Sequence, residues 1–338
     1  MAQKRRGTKS IKLDNNTIYI GDRFSLTFQR TLRIPEDDKT YPLPPGLGAF
    51  PVQRVADFAE RLPASWSSAE EALFIPLYQR EALWLSFNAA SWKPNAVMVG
   101  IGDVNALTGE PWRPAPGDQP QNYLVCPEQP WLDGIKVAEG TIRQFVAVPL
   151  GQGITVSGQI TGAEAFGGLR IVVFEPKPGR FPDEPPEVPA WEAEMPLPES
   201  AGGDLDSAGM GVGAGGQMKQ KVYPDPYGLD TWDAENYESI IVYLVNSVQY
   251  QAITGSAPPP TPISAQTYTQ FGLPWFDLYD EEAGDISATE TLRSVKPTEA
   301  MTGTEASDQT SVGEPVAIDR KQIKKLRQRG ATDQDNGN

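Results

Sequence analysis

The eleven residues from Phe24 to Ile34, FSLTFQRTLRI, alternate between apolar and polar side chains. The apolar positions share one face of an extended chain: Phe24, Leu26, Phe28, Leu32 and Ile34. A period of two is typical of a half-buried strand. Arg30 is the one exception on the apolar face. We expect it at an edge of the sheet or snorkelling to solvent, and a buried functional cation is the alternative.

The segments that follow extend this pattern over about a hundred residues. Seven of them are short, rich in β-branched and aromatic residues, and separated by Gly, Pro, Asn and Asp: ALFIPLY, LWLSF, AVMVGIG, YLVCP, TIRQFVAVPL, ITVSGQITG and LRIVVFEP. Helical periodicity is almost absent between them, whereas a parallel sheet needs crossover helices. The sequence therefore predicts a mainly β protein, an antiparallel β-sandwich or a jelly-roll-like barrel.

One or two short helices are expected beside these strands. The segment PVQRVADFAERLP, residues 51–63, has an apolar stripe at helical spacing between two prolines. In PISAQTYTQFGLP, Ser264 is a candidate cap, and Gly272 with Pro274 ends the helix.

Composition divides the chain into a domain, an insertion and two tails. Residues 11–283 are expected to form a single β-rich domain. Within it, residues 177–221 are rich in Pro and Gly and predict a disordered insertion. The N-terminus, residues 1–10, is expected to be disordered. The same holds for the polar tail, residues 284–338, apart from a short basic helix candidate at residues 319–329.

Charge limits the classes of partner. The chain carries a formal net charge of −15, and residues 10–283 hold 35 acidic and 17 basic side chains. Such a surface repels phosphate backbones, so nucleic acid is an unlikely partner for the body. No run approaches the roughly 18 apolar residues that span a bilayer. Cys126 is the only cysteine, which fits a reducing cytoplasm.

The sequence contains no histidine. This removes Ser-His-Asp and Cys-His catalysis, His-ligated metals and the commonest general base near neutral pH. An enzyme with this composition would depend on carboxylates, Lys, Tyr or Ser. The composition therefore favours a non-catalytic protein.

Two distant segments share the frame Pro-Trp-apolar-Asp: QPWLDG, with Trp131 and Asp133, and LPWFDLYDEE, with Trp275, Asp277 and Asp280. Each Trp buries a large area, and the preceding Pro restricts the chain, so both are suited to anchor loops on a sandwich. In the alternative, either Trp is a stacking platform for a sugar, and the aspartates bind its hydroxyl groups. That alternative predicts a carbohydrate-binding protein or a carboxylate-based hydrolase.

Two further segments have a ligand-binding interpretation. Asp225, Asp230 and Asp233 in DPYGLDTWD supply hard oxygen ligands for calcium or magnesium, although their spacing is not that of an EF-hand. An Asp-rich turn is the other interpretation. The segment GMGVGAGG, residues 209–216, suggests a phosphate loop, but no strand precedes it and no helix follows. No other cofactor is expected.

The tail holds a cluster of basic residues behind Asp319, a candidate cap: Arg320, Lys321, Lys324, Lys325, Arg327 and Arg329. They predict a solvated charge run, or a docking peptide for an acidic partner or for the protein's own acidic body. Contact with nucleic acid or a membrane is a further alternative.

Several segments resemble a family of bacterial proteins whose activity is not established: RTLRIPEDDKTYPLPPGLG, QPWLDGI, RQFVAVPLG, DPYGLDTWD and GLPWFDLYDEE. The resemblance covers roughly Phe28 to Glu282. It implies a bacterial, cytoplasmic origin and assigns no residue a role. From the residues themselves we expect a binding, interaction or assembly protein with a protein partner.

Overall fold

Strands are the main element of the computed structural model, which describes residues 11–37, 39–63, 66, 72–186, 209–278, 284–302 and 316–326. They make up 41% of the described residues against 16% in helices, so the prediction of a mainly β protein is confirmed. The strands are β1 (Ile11–Asp14), β2 (Thr17–Ile20), β3 (Phe24–Thr31), β4 (Thr40–Tyr41), β5 (Gly46–Ala49), β6 (Gln53–Arg54), β7 (Ala72–Leu77), β8 (Ala82–Ala89), β9 (Asn95–Ile101), β10 (Val104–Asn105), β11 (Leu124–Cys126), β12 (Trp131–Leu132), β13 (Gly134–Ala138), β14 (Thr141–Pro149), β15 (Leu169–Pro176), β16 (Met210–Lys219), β17 (Trp232–Asn246), β18 (Trp275–Leu278) and β19 (Ile323–Leu326).

Seventeen strands, β1 to β17, form one hydrogen-bonded network in two layers. One layer runs β2–β3–β8–β14–β16 and the other β7–β17–β15–β9, and all these neighbours are antiparallel except β7 and β17. Met210 opposite Leu244 joins the layers. Apolar residues from both layers form one central core. The expected antiparallel β-sandwich is therefore confirmed, and the described strands form no closed barrel.

The helices are short and lie outside the two layers. The α-helices are α1 (Val156–Thr161), α2 (Ser247–Thr254), α3 (Ala265–Gln270), α4 (Glu290–Arg293) and α5 (Thr298–Thr302), and 3₁₀ helices span Val55–Arg61, Leu229–Thr231 and Arg320–Gln322. The two helices expected from the sequence are the 3₁₀ helix Val55–Arg61 and α3. Ser264 caps α3, because its side chain accepts a hydrogen bond from the backbone N–H of Thr267. No described helix is long and apolar enough to cross a membrane.

The first part of the alternating segment, Phe24–Thr31, forms β3, which lies between β2 and β8 in the first layer. Phe24, Leu26 and Phe28 enter the central core as expected. The expected edge or snorkelling position of Arg30 is wrong: only 7% of the residue is exposed. Its Nε donates to Oε1 of Glu81 at 2.7 Å, so a buried carboxylate pairs with the charge at the end of the apolar face.

The Gly-rich end of the expected insertion is not disordered. Residues 210–219 form β16, which pairs with β14 along its length, from Met210 opposite Pro149 to Lys219 opposite Thr141. A Cβ on Gly216 would lie 2.2 Å from the carbonyl oxygen of Pro35, so glycine here permits a close backbone approach. The prediction took glycine as a sign of flexibility. The rest of the insertion is described for residues 177–186, 209, 220 and 221, and residues 187–208 lie outside the described residues.

The expected disordered tail is also wrong for residues 284–302. This segment crosses the body with α4 and α5, and Leu292 and Val295 reach the central core. Asp285 forms a buried ion pair with Lys136 of β13. The segment is mostly polar, but its few apolar residues dock it on the body because they pack against the apolar residues of the central core. Residues 1–10, 303–315 and 327–338 lie outside the described part of the chain.

Candidate functional site

Trp275 lies at the centre of an apolar cluster on the outer side of the first layer. We call it the Trp275 cluster; its buried members are Leu32, Ile34, Tyr41, Leu43, Ile142, Met218, Ala265, Tyr268, Trp275 and Val316. Trp275 is 0% exposed, and its Nε1 donates to Oγ1 of Thr269 at 3.1 Å. The ring of Tyr268 meets it edge-on at 6.3 Å. The expected alternative of a stacking platform is therefore wrong for Trp275, because no face of the ring is open.

Trp131 approaches the same cluster from β12. It is half-buried, lies opposite Ser86 of β8, and packs against the Trp275 cluster. The two Pro-Trp-apolar-Asp segments are thus brought together, although almost 150 residues separate them. Both tryptophans contribute to one apolar contact region, and only Trp131 retains exposed surface.

Asp133 is held inside the protein by Gln220, the residue after β16. The backbone N–H of Asp133 donates to Oε1 of Gln220 at 3.0 Å, and Nε2 of Gln220 donates to Oδ2 of Asp133 at 2.8 Å. Asp133 is 5% exposed, and burial raises the pKa of its carboxyl to about 7, although the bond from Gln220 opposes this rise. The side chain is oriented into the protein and is not presented to a ligand.

Asp277 of the second segment lies beside Lys219, which is the last residue of β16 and directly precedes Gln220. Its Oδ1 is 3.6 Å from Nζ of Lys219. Lys219 and Gln220 are consecutive, so the end of β16 contacts the aspartate of each segment. Asp280, the third carboxylate expected at this site, lies outside the described residues.

The basic helix expected at residues 319–329 is not formed over residues 319–326, the part of it that the structure describes. A 3₁₀ turn, Arg320–Gln322, leads into β19, which runs parallel to β18 with Trp275 opposite Ile323. Helix was predicted from local composition, but the open side of β18 supplies backbone partners that favour an extended chain.

We call the surface formed by Leu43, α3 and β18 the docking groove. On one side of β18, the backbone groups of Leu43 and Phe276 exchange two hydrogen bonds, of 2.8 and 2.9 Å. On the other side lies β19. Val316 is buried in the Trp275 cluster, and Ile318 packs against it. The groove therefore holds residues 316–326 of the same chain by backbone pairing and by apolar contact.

The basic side chains of this segment point outward. Arg320, Lys321, Lys324 and Lys325 are exposed, whereas Arg327 and Arg329 lie outside the described residues. The docked segment thus places a strip of positive charge on an acidic body.

Asp225 is the centre of a hydrogen-bond network. Its Oδ2 accepts from the hydroxyl of Tyr123 at 2.5 Å and from Nε1 of Trp232 at 2.8 Å, and its Oδ1 accepts from the backbone N–H of Tyr227 at 2.7 Å. Burial raises the pKa of Tyr123, and the bond to Asp225 raises it further. Both carboxylate oxygens of Asp225 are therefore already occupied by protein donors.

The other two candidate metal ligands are engaged elsewhere. Asp230 forms exposed ion pairs with Lys177 and Arg180, and Asp233 accepts a hydrogen bond from a backbone N–H two residues ahead. The metal site expected from Asp225, Asp230 and Asp233 is wrong. No group of three Asp, Glu, Cys or His side chains suited to a metal ion occurs among the described residues.

Sequence reasoning missed two buried ion pairs, Arg30–Glu81 and Lys136–Asp285. Burial raises the pKa of Glu81, and the charge of Arg30 opposes the rise. Burial lowers the pKa of Lys136, and its bond to Asp285 opposes that. Each basic residue interrupts the apolar face of a strand, and this interruption was the available sign of a buried charge. The acidic partners could not be identified from the sequence because they lie 51 and 149 residues away.

Comparison with protein-family models, with curated proteins and with solved structures found no match to this chain. The resemblance to a bacterial family stays a prediction.

Proposed function

We propose that this chain is a non-catalytic binding component of a protein assembly, and that its docking groove takes an extended basic segment as an added strand. The observation that carries the proposal is the parallel pairing of β18 with β19. Strand addition is a common way to recognise a peptide: backbone hydrogen bonds supply affinity, and side-chain contacts supply selectivity. The C-terminal segment is then the ligand in cis, and a partner that presents such a segment competes with it.

Charge supports the same proposal. Residues 10–283 carry a net charge of −18, from 35 acidic and 17 basic side chains, whereas residues 316–326 hold four basic side chains and one acidic. Opposite charges accelerate encounter and disfavour the wrong partners. The acidic body also supports a protein partner over nucleic acid.

The carbohydrate or hydrolase alternative has less support. It used Trp131 or Trp275 as the platform and the aspartates as partners of hydroxyl groups, but Trp275 is enclosed and the carboxylate of Asp133 accepts from Gln220. We also propose a cytoplasmic location, because the single cysteine, Cys126, is a free, buried thiol that requires no oxidising compartment.

A labelled peptide of residues 316–326 tests the groove in the full-length chain. Ile323→Pro removes the N–H that Ile323 donates to the carbonyl oxygen of Arg320, and a proline disfavours the helical backbone of the preceding Gln322. We therefore expect it to break the turn that leads into β19 and to free the groove. We expect the peptide to bind Ile323→Pro and to bind wild type much more weakly, as measured by fluorescence anisotropy. A scrambled peptide of the same composition is the control for charge attraction. Equal binding of the ordered and scrambled peptides would reject the groove.

A further inference from the structure

We infer that Gln322 is the residue by which the docking groove selects its ligand, and that the ligands are extended segments in which an Asp-x-x-Gln turn precedes a basic strand. The inference rests on the function proposed above and defines the chemistry of the segment that the groove accepts.

The side chain of Gln322 joins the docked segment to the end of α3. Its Nε2 donates to the carbonyl oxygens of Thr269 at 3.1 Å and of Leu273 at 3.3 Å. Its Oε1 accepts from the backbone N–H of Asp319 at 3.2 Å. One planar amide therefore satisfies two acceptors of the groove and one donor of its own turn.

This arrangement discriminates between side chains. Two carbonyl oxygens demand a donor, so a glutamate would place a carboxylate against them and lose both bonds. A lysine or arginine could donate to the carbonyls but could not accept from Asp319. An asparagine is one methylene shorter and would not bridge the same distance. Only glutamine satisfies the groove and the turn together.

Asp319 prepares the glutamine for this contact. Its Oδ1 accepts from the backbone N–H of Lys321 at 2.9 Å, and its carbonyl oxygen accepts from the backbone N–H of Gln322 at 2.8 Å. The backbone N–H of Asp319 in turn donates to Oε1 of Gln322, and together these contacts form a capping box. A turn that is already formed pays less conformational entropy on binding.

The exposed lysine of β19 has a different role. Lys324 points to solvent opposite Phe276 and contributes positive charge. Its effect on affinity should therefore fall with salt, whereas that of Gln322 should not. This difference separates recognition by the turn from general attraction to an acidic body.

The test uses variants of the labelled 316–326 peptide against the full-length Ile323→Pro chain. We expect Gln322→Glu and Gln322→Ala to weaken binding at least tenfold at both low and physiological salt, because two hydrogen bonds to the groove are lost. Lys324→Gln should weaken binding less than threefold, and only at low salt. Because the changes are in the peptide, they cannot unfold the protein.

The outcomes separate the two proposals. If the unmodified peptide binds no better than its scrambled control, the groove itself is rejected, and the selection by Gln322 with it. If the unmodified peptide binds but Gln322→Glu binds within threefold of it, the groove stands and the inference about Gln322 is overturned.

Discussion

Asp133 and Gln220 are joined by two hydrogen bonds inside the protein, one from the aspartate backbone and one to its carboxylate. The bond to the carboxylate favours its ionised form, but burial opposes ionisation more strongly, and the pKa rises from an ordinary 3.8 to about 7. The pair therefore makes the stability of the fold depend on pH.

The sign of this dependence follows from proton binding. Between about pH 4 and pH 7 the folded protein keeps the proton of Asp133, whereas the unfolded chain has lost it. The free energy of unfolding therefore falls as pH rises through this window, by roughly 4 kcal/mol at 1.36 kcal/mol per pH unit. Below pH 4 both states are protonated, and this contribution is fully present.

Asp133→Asn tests the dependence, because asparagine stays neutral and still accepts from Gln220. We expect the variant to exceed the wild-type free energy of unfolding by about 1 kcal/mol near pH 4.5 and by a few kcal/mol at pH 8. Urea denaturation of both proteins across this pH range measures the difference between their free energies of unfolding. The contributions of the other titrating groups cancel in that difference. A difference that did not change with pH would contradict the raised pKa.

Gly216→Ala should destabilise the fold by about 2 to 4 kcal/mol, because the new Cβ would lie 2.2 Å from a backbone oxygen of Pro35 and 2.8 Å from that of Ile34. Gly209→Ala is the matched control, since its Cβ would meet only Leu150 at 3.6 Å. Chemical denaturation compares the two. Equal stability of both variants would show that β16 does not need its glycine there.

Asp225→Asn should cost about 1 to 3 kcal/mol, because the charged acceptor of Tyr123 and Trp232 becomes a neutral amide. Asp233→Asn should change stability by less than about 0.5 kcal/mol, because asparagine preserves the turn. Thermal melting measures both variants.

The same melts test the metal interpretation of these residues. We expect the wild-type midpoint to be the same in calcium chloride, in magnesium chloride and in a chelator. A midpoint that rises with calcium and loses that rise in Asp225→Asn would restore the cation site.

The strands of the sandwich could be predicted from the sequence where one side of a strand faces the core and the other does not. Phe24, Leu26 and Phe28 alternate along β3 because one side of the strand is core, and that pattern is visible in any extended segment. Ser264 was predictable for a similar reason, since a cap needs only its own first turn.

The errors concern segments whose structure depends on a distant partner. Residues 210–219 are extended because β14 pairs with them, and position 216 is a glycine because the backbone of Pro35 passes close by; a sequence pattern does not carry either proximity. Ile323 is extended because β18 offers an unpaired side. Arg30 is buried because Glu81 meets it from the start of β8. In each case tertiary contact overrides local propensity.

Trp275→Ala should lower the free energy of unfolding by about 3 to 5 kcal/mol, because it removes the largest fully buried side chain among the described residues. Phe271→Ala is the control: it is an aromatic truncation four residues away, but Phe271 is 75% exposed, so its loss should cost less than about 0.5 kcal/mol. Thermal melting of the two variants beside wild type decides between anchor and ligand platform. A core tryptophan contributes in the free protein, whereas a platform contributes mainly once a ligand covers it. An unchanged midpoint for Trp275→Ala would therefore contradict its place at the centre of the Trp275 cluster.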